Sequence, residues 1–228
     1  VSGAVRDRLS SDNWRLLNHL FQSIAAPAGP DVDLDAALEL IDETIISLVA
    51  VGGLEMAHMT RNDGWRFLSI GRHLERLSFV ASTLGDVVAE EAAGDPTVLE
   101  WLLDLSDSMI THRSRYLRSP EWSSVVELLV FDGHNPRSAH FQLAKLAKHV
   151  RMLPSADAGD LASIVADIDG LCHSGASADA AQGELFAGTR APADLIGACE
   201  RVALGVSDAL TLRYFSHVYE QPHRTDAL

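Results

Sequence analysis

Arg72, Glu75 and Arg76 place two guanidinium groups and one carboxylate within a stretch of five residues. At ~100° per residue of a helix, Arg72 and Arg76 lie one turn apart on the same side, and Glu75 lies beside them. That side also carries Trp65 and Phe79, so the spacing predicts charges among apolar side chains. Because an isolated buried charge is very costly, the three groups are expected to be paired.

Two interpretations of this cluster are open. In the first, an internal Arg–Glu network fixes the register of the helix. In the second, Arg72 or Arg76 binds a small carboxylate or phosphate, and Glu75 is a candidate catalytic acid or base. The chain has no glycine-rich phosphate loop, no GxSxG and no Cys/His pair at a recognisable spacing. The residues alone therefore predict no self-sufficient catalytic site.

A second candidate anion site lies in the segment Asp-Gly-His-Asn-Pro-Arg-Ser that starts at Asp132. We predict that Asn135 caps a helix and that Pro136 is its first residue. Arg137 and Ser138 would then lie in the first turn, where free backbone N–H groups favour anions. The alternative is an ordinary capped helix start, with Arg137 facing solvent or pairing with Asp132.

Metal binding is weakly indicated. Glu55 and His58 have the Glu-x-x-His spacing that places both side chains on one helical face. A di-metal carboxylate site needs a second such motif, and the other match, at Glu220 and His223, contains a proline. We therefore expect no metal site and no cofactor.

Helical periodicity dominates along the chain, and no stretch alternates cleanly between apolar and polar residues. We predict an all-α, multi-helix bundle. The first helix is expected to follow a cap at 10–12 and to end by Pro27. The second is expected to have Asp33 or Asp35 as its cap and to carry a buried stripe of Leu38, Ile41, Ile45 and Leu48. The others are expected over 63–91, between Pro96 and Pro120, and over 125–131, 137–152, 160–171 and 192–219. Residues 170–190 are predicted to be an irregular connection and 220–228 a frayed tail.

The long helix over 63–91 has apolar side chains around most of its circumference. Trp65, Leu68 and Phe79 share one side, and much of the rest is covered by Phe67, Ile70, Leu74 and Leu77. Such a helix is expected in the middle of a bundle.

Length and charge limit the class of protein. The 228 residues are 47% hydrophobic and carry a formal net charge of −14. Without a Pro/Gly/Ser-rich linker, this length favours one domain over 1–228. A negative field repels nucleic-acid phosphates and anionic lipid, so neither nucleic acid nor a membrane is an expected partner. No apolar stretch is long enough to span a bilayer, the start does not resemble a signal peptide, and the two cysteines form no CxxC motif, so we expect a cytoplasmic protein.

Taken together, these motifs resemble the alpha-E domain family. The resemblance covers about 4–215 and rests on three groups of residues and the close of the chain. They are Ala4-Val5-Arg6, Ser10-Ser11-Asp12, Trp14 and Leu17-Asn18; Met59, Arg61, Asp63-Gly64-Trp65, Phe67-Leu68, Gly71-Arg72 and Glu75-Arg76; Phe131-Asp132 and Pro136-Arg137-Ser138; and Tyr214-Phe215-Ser216.

The resemblance implies a duplicated, all-helical architecture. Each half of a family member carries a Gly-Arg-x-x-Glu-Arg helix followed by an Asp…Pro-x-Ser helix start, and this sequence has one copy of each. It also begins at Val1, without an initiator methionine. The expectation is that the chain corresponds to the second, C-terminal half, with the N-terminal repeat missing. By carry-over, Glu75 would be the characteristic glutamate, with Arg72, Arg76 and Arg137 around it.

The functional implication of the resemblance is indirect. Alpha-E domains are encoded beside, or fused to, circularly permuted ATP-grasp proteins, which resemble amidoligases. We therefore expect an accessory or substrate-presenting domain that works with such a ligase on a peptide or amino-acid substrate. Two alternatives remain: an independent enzyme or binder acting on a small carboxylate or peptide through the Arg/Glu cluster, and a purely architectural module.

Overall fold

The computed structural model describes residue 6 and residues 9–25, 33–154, 160–180 and 190–215. Within these ranges every regular element is helical, so the predicted all-α class is confirmed. The helices are α1 (Ser11–Ala25), α2 (Leu34–His58), α3 (Asp63–Ala89), α4 (Pro96–Leu105), α5 (Met109–Tyr116), α6 (Trp122–Val126), α7 (Ala139–Arg151), α8 (Asp160–Ala180) and α9 (Arg190–Leu210). None of the described helices is long and apolar enough to cross a membrane.

The chain divides into two compact units, residues 1–65 and 66–228. In the first unit α1 packs against α2. The hydroxyl of Ser10 accepts a hydrogen bond from the Asn13 N–H at 3.2 Å, so the predicted cap of the first helix is confirmed. The predicted buried stripe of α2 is wrong, because each of its four residues is at least 51% exposed: Leu38, Ile41, Ile45 and Leu48. One partner helix covers one face of α2, whereas its apolar residues are distributed over several faces.

The second unit contains a continuous apolar core. α3 contributes a stripe that includes Ile70, Leu77 and Leu84, each at most 1% exposed. Most of the rest of this core comes from α4, α6, residues 128–131, α7, α8 and α9. The prediction that α3 would be buried all round is wrong: Phe79 is 46% exposed, and Arg76 is also exposed. That part of α3 lines an open cleft instead.

Two predicted helices are interrupted. The single helix expected between Pro96 and Pro120 is split into α4 and α5 by a turn whose central residue, Asp107, has a positive φ of 49°. Asp is one of the residues that tolerates this left-handed conformation. The helix expected over 125–131 is α6 followed by a π-helical turn, Glu127–Phe131.

The C-terminal third is more regular than its composition indicates. α8 continues to Ala180, so the first part of the predicted irregular connection, 170–180, is helical. Alanine favours helix, and the isolated glycines there cost only about 1 kcal/mol each. Residues 181–189 and the predicted frayed tail lie outside the described residues. After α9, a π-helical turn places Tyr214 edge-on against Phe67 of α3, with ring centroids 5.1 Å apart.

Candidate functional site

The second unit has a cleft in which three of the predicted site residues meet. Its volume is about 290 Å³. α3 supplies one wall, and the turn after α4 and the segment before α7 supply the others. The lining residues are Glu75, Arg76, Phe79, Val80, Leu105, Ser106 and Arg137. Glu75, Arg76 and Arg137 are thus brought together although about 60 residues of sequence separate them.

Ser138 directly precedes α7 and is not among the residues that line this cleft. Its hydroxyl accepts a hydrogen bond from the Phe141 N–H at 3.0 Å and donates to the Asp132 carbonyl. Ser138 is therefore the N-cap of α7, and the prediction that Asn135 caps the helix with Pro136 as its first residue is wrong. Because Ser138 is fully buried in this capping role, its predicted part in anion binding gains no support from its position.

Asn135 instead connects the segment before α7 to two other parts of the second unit. Its amide nitrogen donates to the Leu128 carbonyl at 3.0 Å and to the Ser108 hydroxyl at 3.3 Å. Its side-chain oxygen accepts from the Arg137 N–H at 3.0 Å. One buried amide therefore ties the segment that carries Arg137 to the turn after α4. The sequence pattern predicted that Asn135 caps a helix and did not indicate this role.

Arg137 forms an ion pair with the carboxylate of Asp107, with 3.3 Å between Nη2 and Oδ2. Both side chains reach solvent, at 44% and 82% exposed. The alternative prediction that Arg137 pairs with Asp132 is wrong, because Asp132 pairs with Arg115 at 2.8 Å. Burial alone would raise the pKa of Asp132, but the His134 N–H and the Arg115 guanidinium bring it below its ordinary value. The negative charge of Asp132 is therefore paired with Arg115, and neither residue lines the cleft.

Positive charge accumulates around Arg76. The pKa of Arg76 is lowered from its ordinary value, first by partial burial and then by the charges of Arg137 and Arg72, while Glu75 acts in the opposite sense. Arginine nevertheless stays protonated in proteins. Arg72 does not line the cleft, but its charge acts on Arg76. The arrangement is thus electrostatically prepared for an anion, since an added negative charge would relieve the repulsion among the cations.

The chemistry of the cleft is that of binding. Two guanidinium groups can hold a carboxylate or phosphate, the carboxylate of Glu75 can accept a proton or pair with a cation, and Phe79, Val80 and Leu105 form an apolar wall. Among the described residues, no group of three or more His, Cys, Asp and Glu side chains could hold a metal ion. Of the pair considered for metal binding, Glu55 is buried and His58 exposed.

Comparison with known proteins identifies a family that matches this chain. The Alpha-E family, described as a predicted alpha-helical domain with a conserved ER motif, matches residues 1–215. The chain belongs to the Alpha-E family. Uncharacterised proteins of Mycobacterium bovis and of two strains of Mycobacterium tuberculosis are each 30% identical over 159 residues. These alignments cover 66% of this chain and 18% of each relative, so the chain corresponds to a small part of those longer proteins. No solved structure gives a significant match.

The Alpha-E description draws attention to Glu-Arg pairs. The chain has two of them, Glu75-Arg76 on α3 and Glu200-Arg201 on α9. Both side chains of the first pair line the cleft, and neither residue of the second pair does so. The cleft thus favours Glu75-Arg76 as the pair that corresponds to the family motif.

Proposed function

We propose that this Alpha-E domain presents a small carboxylate substrate, an amino acid or a short peptide, to an ATP-grasp amidoligase. The observation that carries the proposal is that Arg76 and Arg137, from distant parts of the sequence, line one cleft together with Glu75. A structural ion-pair network would place the glutamate against the arginines. In the described part of the chain, however, no ion pair within 4.0 Å joins Glu75 to either arginine.

The pairing of Arg137 supports a carboxylate as the ligand. Arg137 already donates to a carboxylate oxygen, that of Asp107. A ligand carboxylate that replaced Asp107 would keep this hydrogen bond and gain the charge of Arg76. Arginine is suited to this exchange because its planar fork of donors matches a carboxylate.

The partnership with an ATP-grasp protein, fused or separate, rests on the resemblance to alpha-E domains. An amidoligase activates a carboxylate with ATP and captures it with an amine. A helical domain that binds a carboxylate reversibly suits a substrate-presenting role in such a system.

An independent enzyme is the second candidate, because Glu75 lies in the cleft beside Arg76. Replacing Glu75 by Gln separates the two functions. If Glu75 is catalytic, the Glu75→Gln protein would lose turnover of its substrate and retain the melting temperature of the wild type. In a presenting domain, the same variant would retain its complex with the ligase.

The direct test is size-exclusion co-elution of the protein with a circularly permuted ATP-grasp protein from the same genome. Co-elution at micromolar concentration is expected for the wild type and for the Arg113→Gln control, whose side chain is exposed on α5. Separate elution of the wild type at that concentration would overturn the partnership. An architectural module would differ in another respect, because no small carboxylate would raise its melting temperature.

A further inference from the structure

The lining of the cleft also indicates which carboxylates it takes. This inference rests on the proposed function and concerns its substrate class. Three kinds of group line the cleft: the cations Arg76 and Arg137, the anion Glu75, and the apolar side chains of Phe79, Val80 and Leu105. Each kind is complementary to a different part of one ligand.

We propose that the cleft binds a free amino acid that has an apolar side chain, with both its ammonium and its carboxylate free. The carboxylate binds Arg76 and Arg137, the ammonium pairs with Glu75, and the side chain packs on the apolar wall. The two cations and one anion leave one positive charge in excess, which the Asp107 carboxylate balances in the absence of ligand.

The positions of Glu75 and Arg76 support opposite charges at two ends of one ligand. As neighbours in a helix, their side chains are ~100° apart around the helix axis. Both nevertheless line the cleft, and they do not pair with each other within 4.0 Å. A ligand whose ammonium and carboxylate are separated by a short backbone could reach both groups. An inorganic anion could reach only the arginines.

The apolar wall supports a side chain of about leucine size. Phe79 and Leu105 are 46% and 42% exposed, so both present apolar surface that a ligand could cover. A volume of about 290 Å³ lies at the low end of the range for small-molecule pockets. It suits one amino acid or a short peptide better than a folded partner.

The experiment measures the dissociation constants of related probes for the purified protein by isothermal titration calorimetry. The probes are L-leucine, L-alanine, N-acetyl-L-leucine and L-leucinamide. L-leucine should bind most tightly. L-alanine should bind on the order of tenfold more weakly, because it buries fewer methyl and methylene groups, and removing either charged end of leucine should weaken binding by about tenfold or more.

Two variants connect these differences with individual residues. Glu75→Gln should bring the affinity for L-leucine down to that for N-acetyl-L-leucine and leave the latter unchanged. Leu105→Ala should reduce the preference for L-leucine over L-alanine. The matched control is Leu117→Ala, which removes a leucine that is 85% exposed and does not line the cleft.

The failure of this proposal can be distinguished from failure of the proposed function. If all the carboxylates bind equally, irrespective of side chain and amino group, the substrate class is wrong while carboxylate binding stands. If L-leucinamide binds as well as L-leucine, or if none of the probes binds at millimolar concentration, the proposed carboxylate site is wrong as well. Co-elution with the ATP-grasp protein tests the partnership independently.

Discussion

His73 on α3 and Gln142 on α7 meet across 69 residues of sequence, with 2.7 Å between Nδ1 of His73 and Oε1 of Gln142. The amide nitrogen of Gln142 donates to the Pro136 carbonyl, one residue before Arg137. Since Oε1 can only accept, Nδ1 of His73 must carry the proton. This fully buried glutamine therefore links the helix that carries Arg76 to the segment that carries Arg137.

The first prediction concerns this link. Gln142→Leu keeps the volume of the side chain but leaves the Pro136 carbonyl without its donor and the His73 N–H without its acceptor. We expect the free energy of unfolding to fall by about 1–3 kcal/mol, measured by urea denaturation, because two partly buried polar groups lose their hydrogen-bond partners. Gln22→Leu, at an exposed position of α1, is the control. An effect of Gln142→Leu no larger than that of the control would contradict this role.

The second prediction concerns Asp107, which competes with the ligand for Arg137. Asp107→Asn should tighten the binding of N-acetyl-L-leucine by a few-fold, because the ligand no longer displaces an internal carboxylate. Asparagine tolerates the left-handed backbone at this position, so the fold should be retained. Asp104→Asn, an exposed change one turn earlier, should have little effect. Weaker binding by Asp107→Asn would show that Asp107 assists the ligand instead of competing with it.

The third prediction separates capping from anion binding at Ser138. Ser138→Ala should lower the free energy of unfolding by about 1–2 kcal/mol, since α7 loses its N-cap. Ser138→Thr should retain most of the stability. Neither change should alter the dissociation constant of N-acetyl-L-leucine, measured on the folded protein. A tenfold weaker affinity for Ser138→Ala would restore the sequence-based prediction that Ser138 binds the anion.

The fourth prediction is a loss of stability in mild acid. The rings of His73 and His149 stack with centroids 5.7 Å apart. Burial lowers the pKa of both from the ordinary value of 6.5, and nearby positive groups contribute. Those groups are Arg72, Arg76 and Lys145 around His73, and His73, Arg66, Lys145 and Lys148 around His149.

Because both pKa values are lower in the folded state, the unfolded chain binds more protons below about pH 6.5. The stabilisation is therefore complete above pH 6.5 and decreases as the pH falls through and below it. Urea denaturation between about pH 8 and pH 5 should show this decrease. His73→Gln should make the slope shallower, whereas His19→Gln, at an exposed position of α1, should not. An unchanged slope for His73→Gln would contradict the assignment.

The sequence predicted the helical class and several site residues for identifiable physical reasons. The spacing of apolar residues defines α3, and the charges that interrupt this pattern marked Arg76 and Glu75. What the sequence did not predict depends on contacts between distant residues. Asn135 and Gln142 acquire their roles from partners outside their own helices, and the turn at Asp107 depends on a serine pair, with the Ser108 hydroxyl donating to the Ser106 carbonyl at 2.9 Å. The exposure of the α2 stripe depends on how many helices pack against α2, which its local pattern does not specify.

The most direct test of the central claim is a double-mutant cycle on Arg76 and Arg137, with N-acetyl-L-leucine as the probe and isothermal titration calorimetry as the measurement. If both arginines bind one carboxylate, each Arg→Gln change should weaken binding by at least about tenfold, relative to Arg113→Gln. The effects in the double variant should then be non-additive by more than about 0.5 kcal/mol. If neither single variant changes the dissociation constant, the two arginines do not bind the ligand and the account of the cleft is wrong.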